Sequence, residues 1–135
     1  MKKLVVPAAV ERLEEVNAFV DGELRARGCS ARVQMQLGLV VEEIFVNIAH
    51  YAYAPGVGEA EISMDISGDP PAVTIRFLDH GRPFDPLEKE DADTALSAEE
   101  RKIGGLGILL VKKNVDDVRY SYQNGANILT VQKKL

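Results

Sequence analysis

The order of hydrophobic periodicities predicts a mixed fold of the α/β (α+β) kind, with helices beside antiparallel hairpins. Three observations carry it: two consecutive stretches with helical spacing, two pairs of strand-like runs each joined by a turn, and one further helix between the pairs. Leu4 to Val6 is a short strand stopped by Pro7. Ala8 to Arg27 then carries Val10, Leu13, Val16, Val20 and Leu24 at helical spacing, and Gly28 ends it. Ser30 can cap a second helix, whose stripe Val33, Leu37, Val40, Val41, Ile44 and Ile48 runs on until Pro55-Gly56. Glu59 to Ile66 alternates as a half-buried strand, and Pro70-Pro71 turns it into Val73 to Leu78. Residues 80 to 103 are polar and acidic, with one helical turn expected near Ala98 to Arg101. A connection of that length is more than a linker and reads as a lid. Gly104 to Asn114 reads as a helix. Val118 to Gln123 and Ile128 to Lys133, joined by Asn124-Gly125, close the chain as a hairpin.

Composition narrows the functional classes. With 135 residues and 46% hydrophobic content, one domain spanning 1–135 can bury its own core without disulfides or a structural metal. A net charge of −5 argues against a nucleic-acid backbone as the partner, since that binding needs clustered Lys and Arg; a protein partner is favoured. Cys29 is the only cysteine, which excludes an intrachain disulfide and suits a reducing cytoplasm. No signal peptide or bilayer-spanning run is read, so the expectation is a soluble cytoplasmic protein with no membrane partner.

Three polar clusters, each following an apolar run, read together as a nucleotide site. Glu43 and Asn47 lie about 40° apart on one helix face, beside the apolar stripe. Asn offers a neutral oxygen suited to a Mg²⁺ that keeps several waters, and Glu one turn earlier can take a proton from an attacking hydroxyl or water. Taken alone, the same spacing describes an ordinary solvated helix edge. Asp79 ends a strand-like run and is followed by Gly81; its carboxylate can accept from the exocyclic amine of adenine, while a missing Cβ at Gly81 admits a flat ring. An Asp-x-Gly turn is the plain alternative. Gly104, Gly105, Leu106 and Gly107 precede a helix, where glycine amides can cradle phosphate; a flexible hinge is the other reading. The loop lacks the Gly-Lys-Ser/Thr of a Walker motif.

In this order and at these separations, the clusters resemble the N, G1 and G2 boxes of the ATPase superfamily shared by gyrase, the ninety-kilodalton heat-shock chaperones and histidine kinases. Val41-Glu42-Glu43-Ile44-Phe45-Val46-Asn47 with Ala52-Tyr53, the Gly104 to Ile108 loop, and Val115 to Tyr120 are most similar to its small anti-sigma-factor serine kinase branch. Asn127-Ile128-Leu129-Thr130-Val131-Gln132-Lys133 resembles the last strand of that branch, whose threonine lies near the adenine. The resemblance implies a two-layer sandwich of a mixed, mostly antiparallel sheet with helices on one face, and an ATP lid between Asp85 and Gly104. It implies Glu43 as general base, Asn47 as Mg²⁺ holder, Asp79 and Gly81 at the adenine, Gly104, Gly105, Leu106 and Gly107 at the phosphates, and Thr130 at the cofactor. Pro83 makes the Arg82-Pro83 segment stiffer than a glycine-rich version of this loop.

The implied function is Mg²⁺ and ATP-dependent phosphorylation of a serine or threonine on a small anti-anti-sigma (STAS-type) protein, with binding of a sigma factor when that antagonist is phosphorylated. A homodimer is also compatible with the family. A second class remains open: an ATP-binding regulatory module whose nucleotide sets partner affinity without phosphoryl transfer.

Overall fold

A computed structural model describes residues 1–88 and 106–135. The elements follow in the order β1 (Lys2–Pro7), α1 (Leu13–Ala26), α2 (Ala31–Asn47), β2 (Glu59–Ser67), β3 (Ala72–Asp79), α3 (Leu106–Asn114), β4 (Asp117–Gln123) and β5 (Ala126–Lys134). The lid residues from 89 onward and the turn expected at Ala98 to Arg101 lie outside the described residues.

Local chemistry explains the helix boundaries. The segment before α1 has no side-chain cap and winds as a 3-10 turn over Val10–Arg12, so the α-helix starts later than the periodicity suggests. Its end is built as expected on Gly28, at φ +72, with the Gly28 N–H donating to Arg25 O at 3.0 Å and the Cys29 N–H to Leu24 O at 3.0 Å. Ser30 caps α2, its hydroxyl oxygen accepting the Val33 N–H at 3.2 Å. Past Asn47 the helix widens into a π turn over Ile48–Ala52. Such turns loosen the backbone ladder and are frequent at functional sites.

The strands form one sheet in the order β1-β2-β3-β5-β4, and every neighbouring pair is antiparallel. The β4–β5 turn is Asn124-Gly125, both at positive φ (54° and 77°), the conformation a two-residue hairpin loop requires. Alternation sorts each strand into two faces. Ile62, Met64, Val73, Ile75, Phe77, Leu129 and Val131 are buried with Val16, Val20, Leu24, Leu37, Val40, Val41 and Phe45 of α1 and α2 in one core. Thr74, Arg76, Arg119 and Thr130 occupy the other face and are exposed or half-buried. The result is the two-layer sandwich with helices on one face, and α2 packs against both α1 and α3. Because β3 lies between β2 and β5, its last residue is delivered to the interior rather than to an edge.

Candidate nucleotide site

A cavity of about 340 Å³ opens where the end of α2, the start of α3 and the ends of β3 and β5 meet. Its size falls within the range of small-molecule sites, roughly 300–1,000 Å³. Ile44, Phe77, Ile108, Val111 and Leu129 give it apolar walls, while Asn47, Asp79, Gly107, Tyr120 and Asn127 bring the polar groups.

Asp79 follows Val73, Ile75 and Phe77 in the inward phase of β3 and is only 5% exposed. Its Oδ1 accepts the Gly81 N–H at 2.9 Å and an Asn127 Nδ2 hydrogen at 3.0 Å. No hydrogen bond of the protein occupies Oδ2 among the described residues. A buried strand thus presents an acceptor beside the apolar walls of the pocket, the arrangement that recognises an amine on a flat ring.

The chain after Asp79 is strapped onto the end of α2. Arg82 N–H donates to Ala52 O at 3.0 Å, and the Arg82 guanidinium donates to Ala54 O at 3.0 Å. The Tyr53 hydroxyl accepts the His80 N–H at 2.7 Å and donates to Glu59 O at 2.6 Å. Burial pushes the Tyr53 hydroxyl pKa up, against the lowering effect of the His80 N–H, with Asp79 and Glu59 adding to the rise. The close approach explains Gly81 differently from the sequence reading. A Cβ there would lie 2.7 Å from Ala52 Cβ and closer still to the Ala52 carbonyl. The missing side chain at Gly81 makes room for the chain's own helix end.

At the other end of the cavity, Asn47 is the last residue of α2 and lines the wall; no hydrogen bond engages its amide among the described residues. Glu43, one turn earlier, is half-buried and is not a wall residue. It lies against Gly107: a Cβ on Gly107 would sit 2.8 Å from Glu43 Oε2 and 3.6 Å from Asn47 Nδ2. The first and third sequence clusters therefore meet in space. Leu106 opens α3, whereas Gly104 and Gly105 lie outside the described residues.

These residues fit an adenine nucleotide, with an acceptor at the apolar end and an unengaged amide at the other. A divalent cation fits more narrowly. No cluster of three His, Cys, Asp or Glu exists among the described residues, so a metal would take the Asn47 oxygen and draw its other ligands from water and phosphate, as Mg²⁺ does.

Thr130 is a correction. Period-two alternation puts Asn127, Leu129 and Val131 on the cavity side, so Thr130 faces the opposite surface, in register with Arg76 and Arg119. The residue of β5 that reaches the site is Asn127, 7% exposed. The sequence reading missed it, because its place opposite Asp79 depends on the register of β3 and β5, which periodicity does not supply. Tyr120, in the inward phase of β4, was missed for the same reason. Its hydroxyl donates to Asn127 Oδ1, and its pKa is raised by burial, partly offset by the Phe84 N–H, with Asp85, Asp79 and Tyr122 adding to the rise.

No helix among the described residues is long and apolar enough to cross a membrane. Residues 6–133 match the family described as histidine kinase-like ATPase domain. The chain is 28% identical over 102 residues to the serine/threonine-protein kinase BtrW of Bordetella bronchiseptica, covering 76% of this chain and 71% of that protein. It is 27% identical over 130 residues to the serine-protein kinase RsbW of Listeria monocytogenes, covering 93% and 82%. A crystal structure of the SiaB–SiaC complex from Pseudomonas aeruginosa contains a chain that superposes with a TM-score of 0.61 at 18% identity, covering all of this chain and 90% of that one, a likeness of fold. With residues 6–133 matched, nearly the whole chain, the protein belongs to the histidine kinase-like ATPase domain family.

Proposed function

We propose that this protein is an ATP-dependent serine/threonine-protein kinase that phosphorylates a small anti-anti-sigma protein of the STAS type and controls a sigma factor by partner switching. The observation that carries the reading is the meeting of Asp79, Asn47 and the Glu43–Gly107 contact at one end of the sheet, from three separated stretches of chain. The kinase names of BtrW and RsbW support the choice of reaction. In this reading the protein works as one cytoplasmic domain, as a monomer or homodimer.

ATP when bound supplies the transferable phosphoryl group, and Mg²⁺ offsets the charge on it. Asp79 selects the base by accepting from its amine. Asn47 holds the cation through its amide oxygen. Glu43, one helical turn before Asn47, would take the proton of the attacking serine or threonine hydroxyl. Gly107, with Gly104 and Gly105, offers backbone amides to the phosphates.

Calorimetric titration of Mg²⁺-ATP tests the site. Asn47→Ala is expected to weaken binding by about tenfold or more in the presence of Mg²⁺ and to change it little in chelator, because only a metal-mediated contact is removed. Equal affinities with and without the substitution would remove Asn47 from the cation site. Thr130→Ala is expected to leave ATP affinity within about twofold, the ordinary effect of a change at a residue remote from the site. A large loss there would overturn the face assigned to β5.

A further inference from the structure

We infer that Asn127 is a positioning residue for base selection: it fixes the Asp79 carboxylate so that Oδ2 is the oxygen offered to the ligand, and it ties the Gly81–Phe84 segment to the sheet. The inference rests on the proposed reading of Asp79 as the group that recognises adenine.

The hydrogen bonds of Asn127 account for every group it carries. Nδ2 donates to Asp79 Oδ1 at 3.0 Å and to Arg82 O at 2.9 Å, with Gly81 O more distant at 3.4 Å. Oδ1 accepts the Phe84 N–H at 3.1 Å and the Tyr120 hydroxyl. An amide has two N–H donors and two acceptor lone pairs, so nothing remains for a ligand. Its orientation is set by chemistry, because Phe84 N–H can only donate and Arg82 O can only accept. Asn127 therefore acts through Asp79 and the loop rather than by touching the base.

Asp79 Oδ1 in turn receives two N–H groups, from Gly81 and Asn127, and the carboxylate cannot rotate without breaking both. The same amide is bonded to Arg82 O and the Phe84 N–H, which straddle Pro83 on the cavity wall. One side chain thus fixes the acceptor and one wall of the pocket it serves. A serine or threonine hydroxyl, with one donor, could not hold Asp79 and Arg82 together, and an aspartate would oppose a second carboxylate to Asp79.

The test compares ATP with ITP, which carries an oxygen where adenine has its amine. Affinities are measured by calorimetry for the unmodified protein, Asp79→Asn, Asn127→Ala, Tyr120→Phe and the Asp79→Asn/Asn127→Ala double variant, with thermal melts of each free protein. The unmodified protein is expected to prefer ATP by at least about tenfold, the value of one hydrogen bond to a charged group. Asn127→Ala should collapse that preference, and the double variant should be no less selective than Asp79→Asn alone, since the two residues act as a unit. Tyr120→Phe removes one bond from the network without touching Asp79 and should reduce the preference by about threefold, serving as the readout if Asn127→Ala folds poorly. A preference retained in both Asn127→Ala and Tyr120→Phe but lost in Asp79→Asn overturns the positioning role alone. No preference in the unmodified protein overturns the adenine reading and the inference with it.

Discussion

Glu43→Gln is expected to lower phosphoryl transfer by about 10²–10⁴-fold, the usual contribution of a positioned general base. Glutamine keeps the length and hydrogen-bonding shape of the side chain but cannot take up the proton. Glu43 is suited to show this cleanly because no ion pair or hydrogen bond holds it among the described residues, so its neutralisation unties nothing among them. Its neighbours are Asn47 one turn on and Gly107 across the helix junction. ATP affinity is expected to stay within about threefold, since an interaction made only in the transition state affects rate rather than binding. Single-turnover transfer of labelled phosphate to a serine-bearing antagonist protein, beside a calorimetric titration, separates the two quantities. Unchanged transfer would remove Glu43 from the chemistry. Absence of transfer in the unmodified protein, with ATP-dependent partner binding intact, would favour the regulatory module over the kinase.

The second large effect is expected at Gly81. An added methyl would fall inside the Ala52 backbone, which cannot swing aside as a side-chain tip can. Either the strap lifts from α2, breaking the Arg82–Ala52 and His80–Tyr53 hydrogen bonds, or the π turn shifts. Gly81→Ala should therefore destabilise the protein by about 1–3 kcal/mol, the cost of overpacking a tight contact, and should weaken ATP binding as Asp79 loses the Gly81 N–H. Gly38→Ala in α2 is the control, because a Cβ there meets nothing within 4 Å and alanine favours a helix interior by about 0.5–1 kcal/mol. Equal melting behaviour of the two variants would sink the close-approach account.

The elements were legible in the sequence because each has a local cause: the Ser30 cap, the Gly28 termination, the alternation of β2 and β3, and the Asn124-Gly125 turn. Asp79, Asn47 and Glu43 were legible as polar residues placed next to apolar runs. What failed was reasoning that needed a neighbour across space. Thr130 was placed by likeness of a strand, yet one residue of phase decides which face a side chain reaches, and that phase was readable from Leu129 and Val131. The steric demand at Gly81 depends on Ala52, 29 positions earlier and brought near only by the π turn, which no periodicity announces. The network joining Tyr120, Asn127 and Asp79 crosses three strands and depends on their register.

The chain has four tyrosines and no tryptophan. Tyr51 and Tyr120 line the cavity, Tyr53 bonds the strap, and Tyr122 stands in register with Asn127. Every tyrosine of the protein is thus gathered at one end of the fold, with none in the helices α1 and α2 or in the far half of the sheet to dilute the tyrosine emission. Intrinsic emission, which in most proteins averages over the whole molecule, is here a built-in optical report on the nucleotide end alone.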